Sequence, residues 1–178
     1  MAELPGKYDN VHVALHWLTA ALIVFMLVMG HFSLAATPNA EAGKILALRG
    51  HMILGSVALV LTLGRLYWKV KHAGPAYAST GSALMDRLGI SVQHSLYLMV
   101  VIVAGSGLGL ALLTGLPGIV FGGGGALPES FAELTPRIVH GIATKILAAL
   151  IVLHGGGVLF HQFVLKDHLF SRMWFGKS

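Results

Sequence analysis

The sequence predicts an all-α fold: an integral membrane four-helix bundle forming one domain over residues 1–178. Apolar residues make up 56 % of the 178-residue chain and charged residues only 11 %, against about 45–50 % and about 25 % in soluble domains. Such a composition excludes a disordered chain, a basic nucleic-acid-binding domain and a typical cytosolic enzyme. The chain has no cysteine, so disulfides, iron–sulfur clusters and thiol catalysis are excluded. Its ten histidines outnumber the seven Asp and Glu residues, which calls for an explanation in so apolar a chain.

Four continuous apolar runs are predicted to cross the membrane as helices, at about residues 11–35, 46–68, 89–113 and 138–165. Each run reaches the length of about 20 residues that a bilayer core requires. No Asp, Glu, Lys or Arg stands between Asp9 and Glu41, and the fourth run carries one charge, Lys145. Long unbroken runs are typical of helices and not of barrel strands, whose apolar residues alternate.

The distribution of basic residues predicts that both termini are cytoplasmic, because short cytoplasmic loops are enriched in Lys and Arg. Eight basic residues fall on the side of the termini: Lys7, Arg65, Lys69, Lys71, Arg87, Lys166, Arg172 and Lys177. Three fall on the other side: Lys44, Arg49 and Arg137. The loops at about 36–44 and 114–136 are therefore expected to face outward.

Two histidines on the fourth helix predict two cofactor positions at different depths. His140 and His154 are 14 residues apart, which is about 21 Å along a helix and within about 40° of the same direction. Polar side chains inside a membrane are costly and usually functional. Two such histidines on one interior stripe suit two stacked metal-centred cofactors, and Gly141 and residues 155–157 leave space beside them.

If the two cofactors are haems whose irons each bind two histidines, each iron needs a second histidine from another helix. His16, early in the first helix, is well placed for the half of the bundle nearer the termini. For the outer half, both His51 at the start of the second helix and His31 at the end of the first are candidates. Spacing alone does not choose between them.

An ordered set of residues resembles the bacterial cytochrome b561 family: His16-Trp17, His51 with Gly55, Arg65, His94-Ser95-Leu96-Tyr97, His140, Leu153-His154, His161 and Lys166-Asp167. The resemblance covers about residues 8–167. It implies a multi-pass protein of the bacterial inner membrane that holds two b haems. It further implies that His16 and His154 ligate the inner haem iron, and that His51 and His140 ligate the outer one.

Three arginines are candidates for supporting roles at the cofactors. Arg65 is expected to pair with a propionate of the inner haem, since guanidinium suits carboxylate. Arg49 and Arg137, at the outer rim, are candidates for binding the outer propionates or for attracting an anion such as superoxide. Lys145 is interpreted as a lysine of the lipid face, or as a partner for a quinone or a buried polar cluster.

The resemblance further implies an oxidoreductase that takes electrons from superoxide at the outer haem and passes them to ubiquinone. Candidate quinone-binding residues near the cytoplasmic side are His94, His161, Gln93 and Ser91. An alternative is a cytochrome b subunit that carries electrons from a partner dehydrogenase or hydrogenase to quinone. A third reading, a transporter with proton-relaying histidines, predicts a colourless protein.

Overall fold

The computed structural model describes residues 6–41 and 43–176, and helices account for most of them. Lys177, counted above with the C-terminus, lies outside the described residues, as do both ends of the expected domain. The helices are α1 (Asn10–Met29, extended by a π-helical turn at Gly30–Leu34), α2 (Gly43–Lys71), α3 (Ala83–Leu113), α4 (Leu116–Gly122) and α5 (Thr135–Phe160, extended by a π-helical turn at His161–Leu165). A 3-10 turn at Leu169–Met173 follows.

Four of these segments are long and apolar enough to cross a membrane: Asn10–Leu34, Gly43–Lys71, Ala83–Leu113 and Thr135–Leu165. The expected all-α architecture with four spanning helices is therefore confirmed. Most of their large apolar side chains are exposed, as expected for side chains that face lipid.

Three of the helices start earlier than the apolar runs indicate, and α3 shows the physical reason. It begins at Ala83, not near residue 89. The Asp86 carboxylate in its first turn accepts hydrogen bonds from the Thr80 N–H and the Ser79 hydroxyl. A negative charge there also complements the helix dipole. Polar residues can thus continue a helix beyond its membrane-crossing part, which hydropathy does not register.

The connection expected to face outward over residues 114–136 contains a short helix, α4. Glycines in the left-handed conformation flank the short helix, Gly115 at φ 65° and Gly123 at φ 68°. Val120 of α4 is fully buried and clusters with Leu48 of α2 and Ala111 of α3. Seven residues beside a glycine run are too few to give a periodic signal, so the packing was not evident from the sequence.

The spanning helices form two closely packed pairs, α1 with α2 and α3 with α5. Across the bundle, α1 and α5 have few close backbone approaches. We call the end with Asn10, Lys71, Ala83 and Leu165 the terminal end, and the end with Leu34, Gly43, Leu113 and Thr135 the loop end.

Backbone and side-chain hydrogen bonds join the chain segments at the terminal end. Asp9 caps α1 by accepting from the N–H groups of Val11 and His12, and its carboxylate also accepts from the indole of Trp68. Burial acts to raise the pKa of Asp9, but these bonds outweigh it, so the pKa lies below its ordinary value. The Trp17 indole donates to the Met173 carbonyl at 2.8 Å, which holds the C-terminal 3-10 turn against α1.

At the loop end, a buried lysine connects α1 to α2. The Lys44 ammonium donates 2.6 Å hydrogen bonds to the carbonyls of Leu34 and Thr37. Leu34 ends the π-helical extension of α1 and Thr37 lies just beyond it, where carbonyls lack donors within the helix. Lys44 therefore fixes the connection that brings the start of α2 against the end of α1.

We expect Lys44→Met to lower the thermal unfolding midpoint in detergent, followed by circular dichroism. It removes two charge-assisted hydrogen bonds, so the free energy of unfolding should fall by about 2 kcal/mol. Lys145→Met is the matched control, because Lys145 is exposed on α5 and should change the midpoint little. Equal midpoints for the two variants would contradict the role given to Lys44.

Candidate functional site

The structure brings His16 of α1 and His154 of α5 together in the half of the bundle nearer the terminal end. Their ring centroids are 6.4 Å apart and their planes are inclined by 71°. Both side chains are partly buried, and Nδ1 of His16 is buried without a hydrogen-bond partner among the described residues. Two imidazoles thus face one another across helices that otherwise pack loosely.

A second pair, His51 of α2 and His140 of α5, lies nearer the loop end. Its ring centroids are 6.0 Å apart, again with an inclination of 71°. His140 Nδ1 lies 2.9 Å from the Val103 carbonyl of α3. A carbonyl only accepts, so Nδ1 carries the proton and Nε2 keeps its lone pair, the tautomer that a metal ligand needs. His31, the alternative partner, is exposed and packs against Phe32.

The ring separations fit one metal ion held between each pair. A metal–imidazole bond is about 2.0 Å long, so imidazoles on opposite sides of one ion have centroids about 6 Å apart. Stacked rings lie much closer, as Trp68 and His72 do at 3.9 Å, whereas edge-on rings in contact lie at a similar distance, as Trp17 and Trp174 do at 6.1 Å. Each pair is therefore edge-on, at the ring separation that an ion held between two imidazoles also requires.

The donor set favours a macrocyclic cofactor over a bare metal ion. Across residues 6–41 and 43–176, no group of three or more His, Asp or Glu side chains could hold a metal ion. Protein sites for bare ions usually supply three or four ligands. Two histidines per site suffice only when another group provides the remaining positions, as the ring nitrogens of a haem do.

Glycines adjoin the loop-end pair. A Cβ at Gly107 of α3 would lie 3.3 Å from His140 Cε1, and one at Gly30 would lie 3.8 Å from His51 Cε1. At Gly141, a Cβ would lie 3.0 Å from Nη1 of Arg137, so this glycine makes room for the arginine to lie along α5. Cβ atoms at residues 155–157 would meet nothing within 4 Å.

The arginines occupy distinct environments. Nε of Arg65 is buried without a partner among the described residues, and the guanidinium lies 5.2 Å from the Tyr97 ring centroid. Arg49 is exposed and donates from Nε and Nη2 to the Val120 carbonyl, which ties α4 to α2. Arg137 is partly buried. Thus Arg49 already has a structural partner, whereas Arg65 is a partly buried cation whose Nε has no partner among the described residues.

The quinone candidates near the terminal end differ in burial. His161 is buried and its Nδ1 donates to the Asp167 carboxylate at 2.6 Å. His94 is exposed, with Nδ1 at 2.9 Å from the Ile90 carbonyl. Ser91 is exposed and Gln93 partly buried, while Lys145 is exposed on α5. The structure therefore places only His161 in a protected polar environment.

Sequence reasoning missed the contacts that the C-terminal segment makes with Trp17, the neighbour of His16. The Trp17 ring lies 5.1 Å from the His16 ring and packs against Phe170 and Trp174, at 5.8 and 6.1 Å between centroids. The aromatic content of the C-terminal segment was visible, but its long-range packing was not. The C-terminal segment is therefore connected to the terminal-end histidine pair through Trp17.

Spanning helices with inward-facing histidine pairs define a membrane cytochrome, a class in which haem irons carry electrons. A family model described as prokaryotic cytochrome b561 matches residues 7–176. The chain belongs to this family, so its function is membrane electron transfer and its cofactor is haem b.

Two curated relatives match along nearly the whole chain. Cytochrome b562 of Cereibacter sphaeroides is 28 % identical over 176 residues, covering 97 % of this chain and 98 % of the relative. Cytochrome b561 homolog 2 of Escherichia coli strain K12 is 27 % identical over 180 residues, covering 98 % and 94 %. The match extends through all four spanning helices, so the similarity concerns the complete bundle.

We expect Gly107→Ala to disturb haem binding at the loop end, because the added methyl group would press on His140 at 3.3 Å. The substitution should lower the haem content of the purified protein or broaden its reduced absorption band. Gly105→Ala is the matched control on the same helix, since its Cβ would meet nothing within 4 Å. Identical haem content and spectra in both variants would show that Gly107 does not position His140.

Proposed function

We propose that the chain binds two b haems and carries electrons across the membrane from superoxide to ubiquinone. His16 and His154 ligate one iron, and His51 and His140 ligate the other. The observation that carries this proposal is the pair of imidazole slots, 6.4 and 6.0 Å between ring centroids. They lie at two depths, about 21 Å apart along α5. We place the terminal end in the cytoplasm and the loop end outside, following the basic residues.

Two histidines bound to each iron would leave no open position for a further ligand. When bound, the haems therefore supply outer-sphere one-electron transfer. His140 contributes by holding its Nε2 lone pair toward the slot, through the bond from Nδ1 to the Val103 carbonyl. Helix α5 carries one histidine of each ligand pair, at two different depths. This arrangement supports electron transfer along the bundle axis.

Superoxide would lose one electron at the loop end and leave as oxygen. Arg137 supports this assignment, because its partly buried guanidinium lies beside Gly141, in the turn that also carries His140. A cation there attracts an anion over a short range. Arg49 would add positive charge at the rim, although two of its nitrogens bind the Val120 carbonyl.

Ubiquinone would take up two electrons and two protons at the terminal end, matching the oxidation of two superoxide ions. Among the four candidates, we favour His161, because it is buried and bonded to Asp167. Burial acts to raise the pKa of Asp167, but the hydrogen bond from His161 outweighs it, so the pKa stays below its ordinary value. An ionised Asp167 would orient His161 and leave Nε2 to accept a hydrogen bond from a hydroxyl of the ubiquinol product. Gln93, His94 and Ser91 would complete the polar side of that pocket.

The function is tested by superoxide-driven reduction of ubiquinone by the purified protein, with oxygen and ubiquinol both quantified. We expect two superoxide ions consumed per ubiquinol formed. His51→Ala and His16→Ala should each remove one haem per chain and abolish the coupled reaction, because each breaks one ligand pair. His31→Ala is the control, since His31 is exposed, and it should keep both haems and full activity.

A protein with two haems that superoxide does not reduce would contradict superoxide as donor. If a copurifying dehydrogenase or hydrogenase then reduced the haems, the alternative of an electron-carrying subunit would replace it. Loss of a haem in His31→Ala, with none lost in His51→Ala, would overturn the loop-end ligand pair.

We expect His161→Ala to slow quinone reduction at least tenfold while superoxide still reduces both haems. The side chain lies outside both ligand pairs, so only the transfer of electrons from haem to ubiquinone should slow. His94→Ala should have a smaller effect because that side chain is exposed. Equal rates of haem reoxidation by ubiquinone in His161→Ala and the unaltered protein would remove His161 from the quinone site.

A further inference from the structure

Two cations at the terminal end of α2 converge on one tyrosine of α3. Arg65 and Lys69 are one helical turn apart, so they share a face of α2. The Arg65 guanidinium lies 5.2 Å from the Tyr97 ring centroid and the Lys69 ammonium 5.7 Å from it. Lys69 also lies 5.9 Å from the Tyr77 ring. Neither Lys69 nor Tyr97 is needed for the haem ligation or the quinone site proposed above.

The polar atoms of this cluster lack partners. Nε of Arg65 and the hydroxyl of Tyr97 are both buried without a hydrogen bond among the described residues. Buried polar atoms are rarely left unsatisfied in native proteins, so each one calls for a missing partner. Like charges one turn apart also repel each other. The cluster therefore favours an anion that accepts hydrogen bonds.

The described acidic residues do not provide this anion. Three lie toward the terminal end and already have hydrogen-bond donors: Asp9 with Trp68, Asp86 with Ser79 and Thr80, and Asp167 with His161. The other three, Glu41, Glu129 and Glu133, lie in the connections at the loop end. Within the described part of the chain, the one ion pair is His161 with Asp167. The missing anion must therefore come from outside the described chain.

We infer that Arg65, Lys69 and the Tyr97 hydroxyl form one recess that binds both carboxylates of the terminal-end haem. This inference rests on the proposed function, and it adds Lys69 and Tyr97 to the single arginine expected there. Arg65 and Lys69 supply two positive charges for two carboxylates, and Tyr97 supplies a neutral donor. Tyr77, which is half-exposed, also borders this recess, with its ring 5.9 Å from the Lys69 ammonium.

The recess has a consequence for the redox potential of that haem. A cation beside it stabilises the reduced form, which has gained one negative charge, and so raises the midpoint potential. Removing the cation should lower the potential. It should also raise the pKa of the carboxylate that it held, so that the midpoint depends on pH.

The test is a redox titration of both haems at several pH values in Lys69→Met, with Lys71→Met as matched control. Lys71 is an exposed lysine two residues further along α2, 6.0 Å from the Tyr67 ring. We expect Lys69→Met to lower one midpoint and to make it depend on pH, while the other midpoint stays constant. Lys71→Met should leave both unchanged, and Lys69→Arg should restore the original value.

Tyr97→Phe provides a second test that removes one oxygen atom and keeps the packing, so it should fold even if Lys69→Met does not. It should lower the same midpoint by a smaller amount. Unchanged midpoints in Tyr97→Phe and Lys69→Met at full haem content would overturn the recess while leaving the two-haem proposal intact.

A lipid phosphate is the other anion that such a recess would suit. The titrations are therefore repeated in lipid-free detergent and in vesicles that contain phosphatidylglycerol. Shifts that persist without lipid support the haem carboxylates. Shifts that appear only with phosphatidylglycerol would assign the recess to a lipid headgroup and overturn the inference. A protein that takes up no haem would instead refute the proposed function itself.

Discussion

The arrangement of the bundle depends on two slots between paired imidazoles. Each slot is about 6 Å wide between ring centroids, and each pair joins α5 to one of the two helices of the opposite pair. On the side where α4 packs against α2 and α3, the chain itself joins the two helix pairs, but α1 and α5 approach each other closely at few points. A ligand that bridges the imidazoles would therefore contribute strongly to assembly. We regard haem binding as part of folding here, and not only as a later addition.

The two ends of the bundle support these slots by different means. At the loop end, α4 buries Val120 and Leu116 against α2 and α3, and Lys44 and Arg49 donate to backbone carbonyls. This end is therefore held together by apolar packing and by cations that are hydrogen-bonded to the backbone. The terminal end instead holds Arg65 and Lys69, which pair with no acidic residue of the described chain, and a C-terminal segment that packs on Trp17. The asymmetry suits a protein that receives electrons at one end and delivers them, with protons, at the other.

Much of this arrangement follows from the sequence because membrane constraints are severe. Long apolar runs must become helices in lipid, and the spacing of His140 and His154 fixes two depths on one face. The choice between His31 and His51 did not follow from spacing, since both lie at the same end. It depends on the direction in which α1 ends, and the π-helical turn after Met29 places Gly30, not His31, beside the His51 ring. The roles of Lys44, α4 and the Tyr97 cluster could not be predicted from the sequence either, because their partners are backbone carbonyls or residues far along the chain.

The central claim is tested most directly by the spectra of the purified wild-type protein, with haem and protein quantified on the same sample. Reduced-minus-oxidised absorption gives the haem type, and electron paramagnetic resonance gives the spin state of the oxidised irons. We expect two b haems per chain, both low-spin, because each iron has two histidine ligands. A single haem, a high-spin signal that reports an open position, or a colourless protein that takes up no added haem would contradict the two imidazole slots as axial ligand pairs.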